Sequence, residues 1–376
     1  MKKLLIVTSG LPASDRRSWS GIPFSIKSRL EKSFEIHECT INQWGRTLAL
    51  KETSFRSFLK GDRLTAAGLW LLSWRQAQII KRSIRQVQPD CILCFEVVTT
   101  NAIAFLKTDI PLIHYTDSVA ASMVDYYWHG LGRHTQDVMN TLQKRSLETC
   151  DAVLMASEWA KESAIRHYGT DPGKLTIIPF GANTEVKDFQ HLDHEEINLL
   201  FVGVGWQRKG GDIAVECAEW LNRKDPGRNY VLHLVGSEPP VPIDSDHVRL
   251  YGFLNRNVES EREKLEYLRS ITDLFLLPTQ AECAGIVFCE ACAYGIPSVT
   301  YDTGGISSYV INGFNGYRMP CGSSGEQFAD KILELLQDRT LLPKMKTNAR
   351  SLYETDLNWD TAARRVTEVI HSLTDR

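Results

Sequence analysis

The sequence has no long apolar run. Nowhere do its hydrophobic residues continue for the roughly 18 positions a membrane-spanning helix needs, so no spanning segment is expected. It has no excess of one charge. Its 43 Lys and Arg stand against 46 Asp and Glu, a formal net charge of −3, which lacks the basic footprint of a nucleic-acid partner. Its 9 cysteines lack the even count and regular spacing of a disulfide framework. Cys91 and Cys94 have half the spacing of a zinc site, but they sit in a strand-like run without a second pair, and are read as buried core thiols. Also missing are a G-x-S-x-G turn, a Cys–His spacing, low-complexity segments and a solenoid period. No covalent nucleophile is therefore expected. The segment 1–10, MKKLLIVTSG, opens like a leader, but its apolar stretch 4–7 is too short for one. The expected compartment is a reducing cytoplasm.

What is present is a rhythm. Short apolar runs recur: LLIVTSG (4–10), CILCFEV (91–97), PLIHYTD (111–117) and AVLMASE (152–158), then LLFVGVG (199–205), VLHLVG (231–236), LFLLPT (274–279) and PSVTYD (297–302). Each reads as a parallel strand buried on both faces. Helix-period stretches such as 324–337 and 361–373 alternate with them, which predicts an α/β protein. The rhythm restarts near residue 197, after the strand-like TIIPFG (176–181) and a polar stretch, 184–197, that reads as a linker. A chain of 376 residues suits two doubly wound units, about 1–180 and 181–355, with a final amphipathic helix in 356–376. Ligands of such sheets sit beyond the carboxyl ends of the strands, so two facing units would form an interdomain cleft.

The chemistry concentrates in 278–317, PTQAECAGIVFCEACAYGIPSVTYDTGGISSYVINGFNGY. Glu282 stands in a loop beyond a strand end, and Glu290 falls about one turn into the next helix. Backbone N–H groups at Gly285, Ile286 and Val287 would open that helix toward phosphate oxygens. Carboxylates accept well from vicinal sugar hydroxyls, whereas two surface glutamates would be the plain alternative. Thr303-Gly304-Gly305-Ile306 leaves room for a second close backbone approach. A second motif, LLFVGVGWQRKGGDIAVECAEWL (199–221), carries a strand through Gly205 to Arg208 and Lys209 beside a helix N-terminus. Cations there suit a diphosphate. The glycine spacing fits neither G-x-G-x-x-G nor a P-loop. In the first half, Gly21 permits a close approach, and Asp117 lies beyond a strand end where it would face a sugar, while His114 falls inside the strand. The stretch 55–87 is basic and aromatic: Arg56, Lys60, Arg63, Arg75, Lys81, Arg82 and Arg85 with Trp70, Leu71 and Trp74, against the single acid Asp62. It reads either as a surface for anionic lipid or as a packed helix with a solvated basic face.

The composite of E-x7-E, Gly-Ile-Pro and Thr-Gly-Gly-Ile resembles the signature of the retaining glycosyltransferases of family 4, with the GT-B fold of two Rossmann-like domains; the similarity is densest over 199–320. The resemblance implies that Glu290 holds the ribose hydroxyls of a nucleotide-diphosphate sugar and that Glu282 holds the donor sugar near its anomeric carbon. It places Gly285, Ile286 and Val287 on the diphosphate or sugar. HVRLYGFLNRN (247–257) resembles the base-binding loop, with Phe253 and Leu254 against a base whose identity these residues leave open. Val204 departs from the family, which often has Arg there; Arg208 is read as the substitute. The implied activity is retaining transfer of a hexose to a hydroxyl of a glycan, a lipid-linked or a small-molecule acceptor, the acceptor being bound by the first domain. The one Asp-x-Asp, Asp244-Ser245-Asp246, is not read as a metal motif of the kind that metal-dependent transferases use, so neither metal nor cofactor is expected. In the family the last helix crosses back onto the first domain. A sugar-nucleotide epimerase and a non-catalytic sugar-nucleotide-binding subunit remain as alternatives.

Overall fold

The computed structural model describes residues 1–41, 61–184, 186, 191–256 and 258–375. Arg56 and Lys60 of the basic stretch, positions 185 and 187–190 of the linker and position 257 of the base-binding run lie outside the described residues. The chain divides into two compact units, Met1–Phe180 with Trp359–Arg376, and Gly181–Asn358.

The first unit is built on strands β1 (Lys2–Ser9), β2 (Phe34–Ile41), β3 (Cys91–Phe95), β4 (Leu112–Thr116), β5 (Ala152–Met155) and β6 (Leu175–Ile177). They form a parallel sheet in the order β2-β1-β3-β4-β5-β6. Leu4, Leu5, Ile6 and Val7 of β1 and Ile92 and Leu93 of β3 are fully buried, as expected of strands covered on both faces. The helices are α1 (Ile22–Leu30), α2 (Gly61–Val87), α3 (Glu96–Ile103), α4 (Ala120–Met123), α5 (Arg133–Thr149) and α6 (Glu158–Tyr168). Strand β3 is shorter than the apolar run 91–97 predicted: Glu96 takes φ +72° and turns the chain into α3. Cys91 and Cys94 stand an odd number of residues apart on β3, so their side chains take opposite faces. Both are buried, and burial pushes the Cys91 thiol up to about 12.

The second unit holds β7 (Ile197–Gly203), β8 (Tyr230–Gly236), β9 (Val248–Leu250), β10 (Leu274–Leu277), β11 (Ser298–Tyr301) and β12 (Gly316–Met319). Their order is β12-β11-β10-β7-β8-β9, again parallel. Counted within the unit, this is the dinucleotide-binding order, and its switch point lies between β7 and β10. Its helices are α7 (Trp206–Lys209), α8 (Gly211–Lys224), α9 (Glu259–Ser270), α10 (Ile286–Ala293), α11 (Gly325–Gln337) and α12 (Leu341–Thr355). The last helix, α13 (Trp359–Thr374), packs in the first unit: Asp360 accepts from Arg29 Nε of α1 at 2.7 Å, and the Trp359 ring lies 6.0 Å from that of Phe180.

Each sheet buries one histidine. His114 of β4 is fully buried, and burial pushes its pKa down to about 4. His233 of β8 is pushed to about 4 by burial and then by the nearby Arg249 and His194; its ring meets Asn198 Oδ1 at 2.8 Å and the Tyr251 hydroxyl at 2.9 Å. An unfolded histidine takes its proton near pH 6.5. Between pH 6.5 and 4 the unfolded chain therefore binds more protons, so stability is complete above that window and falls as the pH drops through it. The expected loss between pH 7 and pH 5 is about 2 kcal/mol per histidine. Urea midpoints at the two pH values measure it, and His233→Gln should shrink the difference by about that amount; an unchanged difference would remove His233 from this account.

Candidate functional site

The switch point of the second unit brings together the loops after β7 and β10. Beyond β7, Gly205 has φ +91°, and a Cβ built there would meet nothing within 4 Å, so one side of its backbone is open. Trp206–Lys209 makes a single turn, α7, which Gly210 ends with φ +76°. A Cβ on Gly210 would fall 2.1 Å from the Pro278 carbonyl oxygen, so only glycine lets this turn rest against the β10 loop. The two loops are then stitched together. The Gln280 N–H donates to the Arg208 carbonyl at 2.8 Å, and the Arg208 guanidinium donates to the carbonyls of Ala281 at 3.1 Å and Val204 at 3.3 Å.

The side chains meet as well. Lys209, almost wholly buried, donates its ammonium to the Glu282 carboxylate, and Arg208 stands 3.9 Å from the same oxygen. Gly285 caps α10 with φ +79°, and a Cβ there would come 2.6 Å from the Phe288 ring. The helix that follows carries the N–H groups of Ile286 and Val287 at its first turn, which an α-helix leaves without intrahelical acceptors. The site thus combines a turn with a paired ammonium, a carboxylate and a helix start. The Thr-Gly-Gly-Ile segment also braces the site. The Gly305 N–H donates to the Glu282 carbonyl at 3.1 Å, and the Thr303 hydroxyl to the Gln280 carbonyl at 3.2 Å, so this segment supports the Glu282 loop.

Glu290 is not drawn onto the same partners. It is 2% exposed, and two guanidinium groups hold it. Arg256 reaches Oε1 at 2.5 Å and Oε2 at 2.6 Å; Arg269 reaches Oε2 at 2.6 Å. Burial by itself would raise the pKa of Glu290. The pull of Arg256 and Arg269 and their hydrogen bonds outweigh it, and the net shift is downward. The carboxylate is ionised in the core. Arg269 is itself buried, against the Tyr294 ring at 5.2 Å, whereas the Arg256 side chain is 39% exposed. Neither arginine was among the candidates drawn from sequence. Glu290 is the only charged residue of IVFCEACA, and a lone acid in a buried apolar helix requires a buried cation; that was the available signal.

Two family models match side by side: Glycosyltransferase Family 4 over residues 51–186, and Glycosyl transferases group 1 over residues 183–352. Both halves of the chain thus match the group 1, family 4 glycosyltransferases. Among curated relatives, a D-inositol 3-phosphate glycosyltransferase of Nocardia farcinica is 27% identical over 64% of this chain and 56% of its own length. The lipopolysaccharide glucosyltransferase WaaG of Escherichia coli is 28% identical over 50% of this chain and 54% of its own. The match thus spans little more than half the length of these relatives. Among solved structures, sucrose-phosphate synthase of Thermosynechococcus elongatus superposes with a TM-score of 0.71 at 16% identity, over 100% of both chains. Anabaena HepE, solved with UDP-glucose, superposes at 0.61 and 16% identity, over 99% of this chain and 100% of its own. These neighbours share the GT-B fold with this chain.

The remaining candidates spread over both units. Phe253 is 68% exposed and Leu254 half-buried in the loop after β9, and Arg256 ties that loop to Glu290. In the first unit Gly21, with φ +81°, caps α1 after the β1 loop. Asp117 follows β4 directly and is half-buried, accepting from the Ser118 hydroxyl at 3.1 Å. His114 is one of the core histidines described above.

Proposed function

We propose that this protein is a retaining glycosyltransferase that moves a hexose from a nucleotide-diphosphate sugar to an acceptor hydroxyl, without a metal. The observation that carries the reading is the Lys209–Glu282 pair at the switch point, beside the opening of α10. In this reading the diphosphate lies against Gly205, Gly285, Ile286 and Val287, with Lys209 and Arg208 supplying positive charge. Glu282 holds hydroxyls of the donor sugar. Glu290 accepts from the ribose diol, which replaces the exposed Arg256 on the carboxylate while Arg269 stays. Phe253 and Leu254 face the base. Gly21 permits close approach of a phosphate or the acceptor, and Asp117 faces the sugar. The acceptor oxygen bonds to the anomeric carbon as the bond to the β-phosphate oxygen breaks, on one face of the sugar. The acceptor proton passes to a phosphate oxygen, and the nucleoside diphosphate leaves. The protein contributes position and charge stabilisation.

UDP is the first nucleotide to try, because relatives of the same fold were solved with UDP or UDP-glucose. Thermal shifts against UDP-, GDP- and ADP-sugars should single out one class, with stabilisation of about 2.7 kcal/mol at a hundred times Kd. Donor turnover should then require an acceptor, give a product with the donor's anomeric configuration and proceed unchanged in excess chelator. Sugar release or rearrangement without acceptor would instead mean an epimerase. Binding with no turnover under any acceptor would mean a binding subunit. Loss of rate in chelator would end the metal-free mechanism.

A further inference from the structure

Helix α2 carries large apolar residues on its outer face as well as on the face where Ile80, Ile84 and Val87 meet the core. Its buried residues are Ala66, Ser73, Gln76, Ala77 and Ile80. Leu64, Leu71, Trp74 and Ile79 point outward, with Leu64 61% exposed and Leu71 and Trp74 47% each. At 3.6 residues per turn, Leu64, Leu71 and Arg82 share one line along the helix. Trp74 and Arg85 flank it on one side, Arg75 and Ile79 on the other. Trp70 is different: its ring packs edge-on to Phe105 at 5.2 Å, beneath the Arg145 guanidinium. It belongs to the helix packing.

The outward face carries no acid. Asp62 is the only acidic residue of α2, and it is turned to α5. It accepts from the backbone N–H groups of His134 at 2.7 Å and Thr135 at 3.0 Å, and from the Thr135 hydroxyl at 2.7 Å. Arg63 turns to α5 as well, donating from Nε to the His134 ring at 3.2 Å. What remains outside is Arg75, Arg82 and Arg85 among large apolar side chains, on a chain whose net charge is −3. Overall charge would therefore repel an anionic surface, so attraction to one needs a local basic face, which this helix supplies.

We infer that the outer face of α2 is a docking surface for an anionic lipid bilayer: Leu64, Leu71, Trp74 and Ile79 enter the headgroup boundary, and the arginines meet lipid phosphates. Apolar side chains flanked by cations along one helix face are the pattern of an interfacial helix. No helix among the described residues is long and apolar enough to cross a membrane, so the contact is peripheral. A second copy suits the face poorly. Two-fold pairing would set arginines against arginines with no acid between them. A nucleic acid would use the arginines but leave the aliphatic side chains in water.

The test is co-sedimentation of the full chain with vesicles of phosphatidylcholine alone and of phosphatidylcholine with one part in three of phosphatidylglycerol. Wild type should bind the anionic vesicles on the order of tenfold or more tightly than the neutral ones, and less so in high salt. Leu71→Ser with Trp74→Ser, and separately Arg75→Glu with Arg82→Glu, should each weaken binding by a similar factor. These side chains are exposed, so both variants should melt near wild type. The proposal is overturned if wild type ignores anionic vesicles, or if both variants bind as wild type does. It is also overturned if wild type sediments in solution as a dimer that the Leu71 and Trp74 changes dissolve, which would assign the face to a second copy.

Discussion

Glu290→Ala is expected to destabilise the protein by about 3–5 kcal/mol before any ligand is considered. The reason is the company Glu290 keeps. Its carboxylate is the counter-charge for Arg269, which is only 5% exposed. Removing it leaves a guanidinium in the core with no anion. Arg256, 39% exposed, can turn to water; Arg269 cannot. For a unit of this size the cost corresponds to a fall in Tm of roughly 6–20 °C. Arg256→Ala should cost far less, because Arg269 still neutralises the carboxylate. Replacing the pair together, Glu290→Leu with Arg269→Met, should recover most of the lost stability, since a well-packed apolar pair often equals a buried ion pair. It should not recover stabilisation by a nucleotide-diphosphate sugar, because in the proposed reading the diol has lost its acceptor. This separation matters for any donor-site test at Glu290: loss of activity in Glu290→Ala alone mixes a missing ligand contact with a damaged core. Thermal melts of the four proteins with and without donor resolve the two. A Glu290→Ala protein melting within about a degree of wild type would mean that Arg269 finds another partner or water, and the ion triad would lose its structural role.

How much of this was legible in the sequence follows from what each residue touches. The eight apolar runs that were read as strands correspond to β1, β3, β4, β5, β7, β8, β10 and β11, which lie inside the two sheets. Burial on both faces forces them to be apolar without interruption. Strands β2, β9 and β12 did not announce themselves, and each is a sheet edge. Strand β2 reads FEIHECTI, with its polar residues partly exposed, so it never forms a continuous apolar run. The Glu282 loop and the α10 start were legible because their residues are close in sequence. The partners of those residues were not. Lys209 reaches Glu282 across 73 positions, and Arg256 reaches Glu290 across 34. Only the topology, which sets β7 beside β10, brings the first pair together. The motif made Glu290 a candidate, but nothing near it revealed that two arginines would already hold it.

The other large effect belongs to Lys209. Lys209→Met should lower kcat by about 10²–10³-fold, the range seen when one preorganised charge-stabilising donor is removed, with KM moving little. The substitution keeps the length of a side chain that is 7% exposed, and Glu282 retains Arg208 within 3.9 Å, so the fold should survive. The kinetic split follows from timing. In the proposed transfer, negative charge accumulates on the leaving diphosphate as the bond between the anomeric carbon and the β-phosphate oxygen breaks. A cation beside it is therefore worth more in the transition state than in the bound complex. Two comparisons make the point specific. A donor whose leaving group is less basic needs less stabilisation, so the Lys209→Met defect should shrink with it. Glu282→Gln should instead leave that leaving-group dependence as in wild type, because its proposed partners are sugar hydroxyls. If Lys209→Met turned over within a few-fold of wild type, Lys209 would serve only to hold Glu282 in place. The burden of the departing charge would then fall on Arg208 and the first N–H groups of α10, and Arg208→Met would be the variant that lost the rate.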